Sequence, residues 1–77
     1  MIQRLPSLTP EEMIRALQRA GLSVVRETGK HVIMHKPGLR RPVPVPRHVA
    51  GLKRGLQAKI IKEAGLTPEE FSRLLRG

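Results

Sequence analysis

The fold of this chain is decided by residues 22–46, which read LSVVRETGKHVIMHKPGLRRPVPVP. Two runs within this stretch, residues 22–27 and 30–36, are rich in β-branched and apolar residues, a composition typical of strands. They are joined at Thr28-Gly29, a short connection that contains the glycine a tight hairpin favours. The sequence therefore predicts two antiparallel strands joined by a tight turn.

The third segment of this stretch, residues 41–46, follows a turn at Pro37-Gly38 and carries proline at alternate positions. Alternate residues of a strand point their N–H groups toward opposite edges, so these prolines remove donors from one edge alone. Val43 and Val45 keep their N–H groups and remain able to pair with the preceding strand. We therefore predict an edge strand that is protected against pairing with other chains.

The first helix is indicated by the motif LTPEE at residues 8–12. Thr9 is the expected N-cap, Pro10 takes the first helical position, and Glu12 completes a capping box near the positive end of the helix dipole. This start signal predicts a helix over residues 10–20 with one buried face. That face comprises Met13, Ile14, Leu17 and Ala20, and Gly21 follows as the C-terminal cap.

Two further helices are expected in the C-terminal third of the chain. Residues 52–64 carry apolar residues at helical spacing and are followed by Gly65, whereas Gly55 provides a weaker cap at the start than serine or threonine would. The LTPEE motif recurs at residues 66–70 and predicts a short third helix. The inward-facing residues are Leu56, Ile60, Ile61 and Ala64 in the second helix, and Phe71, Leu74 and Leu75 in the third.

The predicted order of elements is α-β-β-β-α followed by a terminal helical turn. It describes an α+β fold in which a three-stranded antiparallel sheet is covered by helices on one face, the architecture of double-stranded-RNA-binding domains. A chain of 77 residues is too short for two hydrophobic cores. We therefore expect residues 1–77 to form a single domain.

Positive charge is the strongest signal in the composition, with 15 Lys and Arg against 6 acidic residues and a net charge of +9. Between Glu27 and Glu63 no acidic residue occurs. This distribution favours a nucleic acid as partner over an anionic membrane, an acidic protein or a merely solvated surface, because solubilising surfaces normally mix both signs. The cations of this segment are Lys30, Lys36, Arg40, Arg41, Arg47, Lys53, Arg54, Lys59 and Lys62.

Other classes of protein are disfavoured by what the sequence lacks. No window approaches the roughly 18 apolar residues of a membrane span, and the N-terminus lacks the apolar run of a signal peptide, so we expect a cytoplasmic protein. The absence of cysteine excludes disulfides and thiolate metal sites. Phe71 is the one aromatic residue, and we expect no cofactor and no large cofactor pocket.

Histidines occupy alternate positions of the second predicted strand. Val32 and Met34 suit the helix-covered face, which places His31 and His35 on the open face of the sheet. Each could simply be an exposed polar residue of a strand. A shared metal ion is disfavoured, because residues four apart on a strand stand roughly 13 Å apart and the segment offers no carboxylate or thiolate to complete a site.

The residue types that are present limit the reactions that the chain could catalyse. Without Asp or Cys no Ser-His-Asp or Cys-His set can be drawn, and the paired glutamates Glu11-Glu12 and Glu69-Glu70 are explained as helix-start residues. What remains is phosphodiester cleavage by histidine: a neutral imidazole takes the proton of a 2'-hydroxyl, whose oxygen attacks the adjacent phosphorus while cations stabilise the charge. Because RNA carries this nucleophile itself, one histidine suffices.

Short motifs spread over residues 9–71 resemble those of a known protein family. The most specific are a glycine-x-histidine in the second strand and a proline-x-histidine before the second helix. In these motifs the chain resembles the HicA toxin family. The full set comprises Gly21-Leu22 to Arg26, Gly29-Lys30-His31, Val45-Pro46-Arg47-His48, Gly55, Ile60-Ile61-Lys62, Ala64-Gly65-Leu66 and Glu69-Glu70-Phe71.

The resemblance implies a messenger-RNA interferase with a double-stranded-RNA-binding-like fold, whose partners are mRNA and a HicB-type antitoxin. It assigns the catalytic role to His31, which leaves the basic residues named above to bind RNA. His48 matches the family's second histidine, for which a turn-stabilising hydrogen bond and a substrate contact remain open. The competing hypothesis is a non-catalytic RNA-binding protein with the same fold.

Two departures from the family pattern bear on the site. The family commonly has Gly-Ser-His-His where this chain has Gly29-Lys30-His31-Val32, so that Lys30 adds a cation next to the histidine. This lysine would bind the scissile phosphate, lower the pKa of the histidine or reflect an altered substrate choice. The family also commonly has Gly-Thr-Leu where this chain has Gly55-Leu56-Gln57, which removes a possible capping hydroxyl.

Overall fold

A computed structural model describes residues 8–76 of the chain. Residues 1–7 and Gly77 lie outside the described part. Residues 1–7 include most of the N-terminal segment in which the sequence shows no apolar run. The expected α+β fold and the order α-β-β-β-α are confirmed, with the terminal turn extended to a full third helix. The elements are α1 (Pro10–Arg19), β1 (Ser23–Glu27), β2 (His31–His35), β3 (Val43–Pro46), α2 (Arg54–Glu63) and α3 (Pro68–Arg76).

The three strands form an antiparallel sheet in the order β1-β2-β3, so β2 is central and β3 is an edge. Val43 and Val45 are the ladder partners of Met34 and Val32. The N–H of Arg47 extends this ladder by donating to the carbonyl of Lys30 at 2.9 Å. The odd-numbered residues of β3 therefore direct their N–H groups toward β2. The nitrogen atoms of the prolines face away from β2, as the alternation predicts.

Both turns of the sheet are fixed by local hydrogen bonds. In the β1–β2 turn, the Thr28 hydroxyl oxygen accepts the N–H of His31 at 2.9 Å, and the Thr28 N–H donates to the His31 carbonyl at 2.8 Å. Lys30 belongs to this turn rather than to the strand, so β2 begins one residue later than predicted. In the second turn Gly38 has φ +98°, and the Leu39 N–H donates to the Lys36 carbonyl. Proline followed by a glycine at positive φ is the signature of a type II turn.

The two LTPEE motifs form matching capping boxes. The hydroxyl oxygen of Thr9 accepts the N–H of Glu12 at 3.2 Å, and the Thr9 N–H donates to the Glu12 carboxylate at 2.9 Å. Thr67 and Glu70 make the same pair of bonds at 3.1 and 2.8 Å. The hydrogen bonds from the Thr67 N–H and hydroxyl group lower the pKa of Glu70 below its ordinary value of 4.5. Each of these caps satisfies backbone N–H groups that have no partner within the helix.

The predicted start of the second helix is wrong. The helix begins at Arg54, with Lys53 as an N-cap that makes no side-chain hydrogen bond, and not at residue 52 with Gly55 as cap. The reason lies elsewhere in the chain: the Leu52 N–H donates to the Leu8 carbonyl at 2.7 Å, which draws Leu52 into a bridge and buries it. This long-range contact outweighs the local helical pattern.

The hydrophobic core lies between the helices and one face of the sheet. Val32 and Met34 of β2 are buried against it, which confirms the predicted face of this strand, and Val43 and Val45 of β3 are buried beside them. The helices cover that face and leave the other open. The core residues from outside the sheet are Leu8, Met13, Ala16, Leu17, Leu22, Leu52, Ile60, Ala64 and Phe71.

One buried side chain was missed by the helical pattern of α2. Gln57 is 8% exposed, and its amide donates to the Leu52 carbonyl at 2.7 Å. This bond satisfies a backbone group just before the helix. A polar side chain is accepted at this position of the core because its amide group is hydrogen-bonded.

Candidate active site on the open face of the sheet

His31 is the first residue of β2, and its side chain points to the open face of the sheet. Its neighbours Val32 and Met34 are buried, whereas His31 is half-buried. The Thr28 hydroxyl and backbone hold the His31 backbone on one side, and Pro46 of β3 is its ladder partner on the other. The imidazole is thus carried by a backbone fixed on both sides and faces solvent, as the strand alternation predicts.

His35 lies on the same face but at the other end of β2. Its Nε2 is 2.9 Å from the carbonyl oxygen of Leu39, in the loop that connects β2 to β3. This hydrogen bond ties the imidazole to the turn that follows the strand. Four residues of strand, about 13 Å, separate it from His31, so the structure does not bring the two histidines together.

The turn and the end of β3 place two predicted RNA-binding residues beside His31. Lys30 is exposed in the turn, and Arg47 follows β3 with its N–H bonded to the Lys30 carbonyl. The guanidinium of Arg47 forms an ion pair with the carboxylate of Glu27, the last residue of β1. His48 is the next residue after Arg47 and is also exposed.

The remaining predicted RNA-binding residues lie farther from His31 along the fold. Lys36 follows β2, and its ammonium donates to the Ala20 carbonyl at 3.3 Å, where it caps the end of α1. Arg40 and Arg41 are exposed in the loop before β3 and line a shallow groove with Glu63. Four further cations are exposed at the start of α2 or along it, namely Lys53, Arg54, Lys59 and Lys62.

An additional cation on the open face was missed in the sequence. Arg26 of β1 is the ladder partner of Ile33, which shares a face with His31. The register of β1 shifts between Val24 and Arg26, a bulge that places Val25 and Arg26 along one groove with Ile33. The pairing register of the hairpin would have placed Arg26 on the open face. The charge pattern did not point to it, because Arg26 precedes Glu27 and lies outside the acid-free segment, which runs from Glu27 to Glu63.

The described residues provide no metal centre. Among residues 8–76 no group of three or more His, Asp and Glu side chains is placed to hold a metal ion. What the site offers instead is one half-buried imidazole on a sheet face that the helices leave open, with the exposed Arg26 of β1 on the same face. This combination can accept a proton and bind a phosphate.

Comparison with known families identifies the family of the chain. The sequence model of the HicA toxin of bacterial toxin–antitoxin systems matches residues 10–66, which make up most of the chain. The chain belongs to the HicA toxin family. A HicA toxin acts within a toxin–antitoxin pair, so the role of this chain is that of a toxin whose partner is an antitoxin. The match runs from the first residue of α1 to the residues just after α2 and includes the whole sheet.

None of the curated proteins compared matches the chain. Within residues 8–76, no helix has the length and apolar character needed to cross a membrane. The assignment of the chain to the HicA toxin family therefore rests on the match to the family model.

Proposed function

We propose that this HicA-family chain is an endoribonuclease that cleaves messenger RNA in the cytoplasm and thereby blocks translation, with His31 as its catalytic residue. The observation that carries the proposal is the placement of His31, an imidazole at the start of the central strand on the face that the helices leave open, within a segment of the chain that is basic and has no acidic residue. A histidine needed only for the fold would be expected to make a structural contact, as His35 does with Leu39.

The proposed reaction needs no cofactor. Neutral His31 accepts the proton of a 2'-hydroxyl, and the freed oxygen attacks the neighbouring phosphorus. The bond from phosphorus to the 5'-oxygen breaks, the leaving oxygen takes a proton from water, and the products carry a 2',3'-cyclic phosphate and a 5'-hydroxyl. His31 then returns its proton to solvent. Nearby cations stabilise the negative charge that accumulates on the phosphoryl oxygens in the transition state.

Binding of the RNA is proposed to rest on phosphate contacts from the cations of the acid-free segment. Lys30 is exposed in the turn that precedes His31, and Arg47 is available for a phosphate once it leaves Glu27. Lys53, Arg54, Lys59 and Lys62 form a second positive surface along α2, on the helix side of the sheet. Such contacts carry little sequence information and are weakened by salt. Lys36 contributes less, because its ammonium already binds the Ala20 carbonyl.

The antitoxin is proposed to be of the HicB type and to cover the face that carries His31. A surface with net charge +9 is complemented by an acidic partner, and coverage of the imidazole would prevent RNA from reaching it. Inhibition by direct occlusion then requires no change in the fold of the toxin.

The proposal is tested by the ends of the cleaved RNA. The purified chain is incubated with a labelled messenger RNA in excess chelator, and the products are examined for 2',3'-cyclic phosphate. Cleavage that persists with chelator and leaves cyclic ends supports the mechanism. Cleavage that stops with chelator and returns with magnesium contradicts it, and complete absence of cleavage with retained RNA binding favours the non-catalytic alternative.

A further inference from the structure

The open face of the sheet holds a cation that the proposed mechanism has not yet used. Arg26 is exposed on β1 and is directly opposite Ile33 in the ladder. His31 is two residues before Ile33 on the same face, so Arg26 and His31 are diagonal neighbours across the β1–β2 pair. Such neighbours have Cα atoms about 7–8 Å apart, within reach of a long side chain.

The ion pair at this end of the sheet leaves Arg26 available for a ligand. Glu27, the one acidic residue of the three strands, is engaged by Arg47. Within residues 8–76 no carboxylate lies at salt-bridge distance from Arg26. An arginine without an acidic partner, next to an imidazole, is suited to bind the two non-bridging oxygens of a phosphate through its fork of N–H groups.

The surface beside Arg26 accommodates the rest of a nucleotide. A shallow groove of about 450 Å³ runs over the open face and is lined by Val25, Arg26, Ile33, Pro42 and Pro44. Apart from the arginine its walls are apolar. Apolar side chains next to a phosphate-binding cation suit an unpaired base, since a base paired in a duplex would not expose its face.

We propose that Arg26 is a second catalytic residue, which holds the attacked phosphate of a single-stranded RNA while the adjacent base lies in this groove. The inference rests on the proposed ribonuclease function. Arg26 binds the phosphoryl oxygens most strongly when they gain negative charge, and so its main effect is on the rate of the chemical step. RNA affinity depends on it less, because many other cations share the phosphate contacts.

The test compares Arg26→Gln with wild type and with Arg15→Gln, an exposed arginine of α1, the helix layer on the other face. Single-turnover rates are measured on a single-stranded RNA. Affinity is measured separately on the same RNA carrying 2'-O-methyl groups, which cannot be cleaved. We expect Arg26→Gln to lower the cleavage rate by about a hundredfold, affinity to change by only a few-fold, and Arg26→Lys to recover part of the rate.

Three results would overturn the inference: an unchanged rate in Arg26→Gln, an equal loss in Arg15→Gln, or a loss confined to affinity. Failure of the proposed function has a different signature. If wild type cleaves no RNA, or cleaves it equally without His31, the ribonuclease mechanism is wrong whatever Arg26 does. The affinity of the methylated RNA for the Arg26 variants then still shows whether the open face binds a single strand, because that measurement involves no cleavage.

Discussion

Glu27 and Arg47 form an ion pair that joins the end of β1 to the residue after β3, and it spans the start of β2 where His31 lies. Both side chains are exposed, at 54% and 40%, so the pair adds little to stability, about 0–1 kcal/mol. Its larger effect is on charge, because it neutralises the acidic residue of the sheet and occupies one predicted RNA-binding arginine.

The first prediction follows from this pair: Glu27→Gln should tighten RNA binding. Release of Arg47 makes it available for a phosphate, and each phosphate contact to a single strand adds about 0.7 to the slope of log affinity against log salt. We expect the slope of the variant to be steeper than that of wild type by about this amount. Fluorescence anisotropy over a salt series measures it.

Glu11→Gln is the matched control for that experiment, since it removes one negative charge at the start of α1 without affecting an ion pair of the sheet. An equal gain in both variants would show that net charge alone matters. A wild-type slope near zero would contradict phosphate-based binding altogether.

The second prediction concerns the two faces of β2. Met34 is fully buried, and Met34→Ala should lower the free energy of unfolding by about 2–5 kcal/mol, because it leaves a cavity in the core. Ile33, the adjacent residue on the open face, is half-buried, and Ile33→Ala should cost much less. Urea denaturation of both variants tests the assignment of faces, and equal losses would contradict it.

The third prediction concerns the cap of α3 and its pH dependence. The Thr67 hydrogen bonds lower the pKa of Glu70, so its ionised form stabilises the fold above the ordinary value of 4.5. This contribution is lost as the pH falls below that value and through the lowered pKa, because the protonated carboxyl no longer accepts these bonds equally well. Thermal melts between pH 6 and about pH 3 should therefore show a smaller acid dependence in Glu70→Gln than in wild type. Identical acid dependence would argue against the cap.

The elements of the fold that depend on neighbouring residues were predictable from the sequence. The LTPEE motifs define the starts of α1 and α3 because threonine, proline and glutamate act within one turn of helix. The alternating prolines identify β3 as an edge for the same reason, since each removes its own donor. His31 was placed on the correct face because the period of a strand is fixed at two residues.

Features that depend on distant residues were not predictable. The start of α2 is set by the hydrogen bond between Leu52 and Leu8, which no local pattern reveals. The bulge at Val25 and the pairing of Arg47 with Glu27 arise only once the sheet has formed. The charge pattern therefore identified a positive surface but did not show which cations are free to bind RNA.

The fourth prediction is that the antitoxin shields the His31 imidazole. Backbone amides of β2 are bonded to both neighbouring strands and change little on binding, so the side chain is the better reporter. Diethyl pyrocarbonate should modify His31 in the free toxin and modify it several-fold more slowly in the complex. Equal modification of His31 in both states would contradict occlusion.

Catalysis by His31 is best tested by the cleavage rate of His31→Ala, measured beside the thermal melt of the variant. The substitution lies on the open face and makes no core cavity, so stability should change by less than about 0.5 kcal/mol. Loss of a general base should lower the rate by roughly a hundredfold to ten-thousandfold. RNA affinity should be retained, and His35→Ala, about 13 Å away, should cleave nearly normally.

A folded His31→Ala protein that binds RNA but no longer cuts it is the predicted result. A folded variant that cleaves at the wild-type rate would rule out His31 as the catalytic residue.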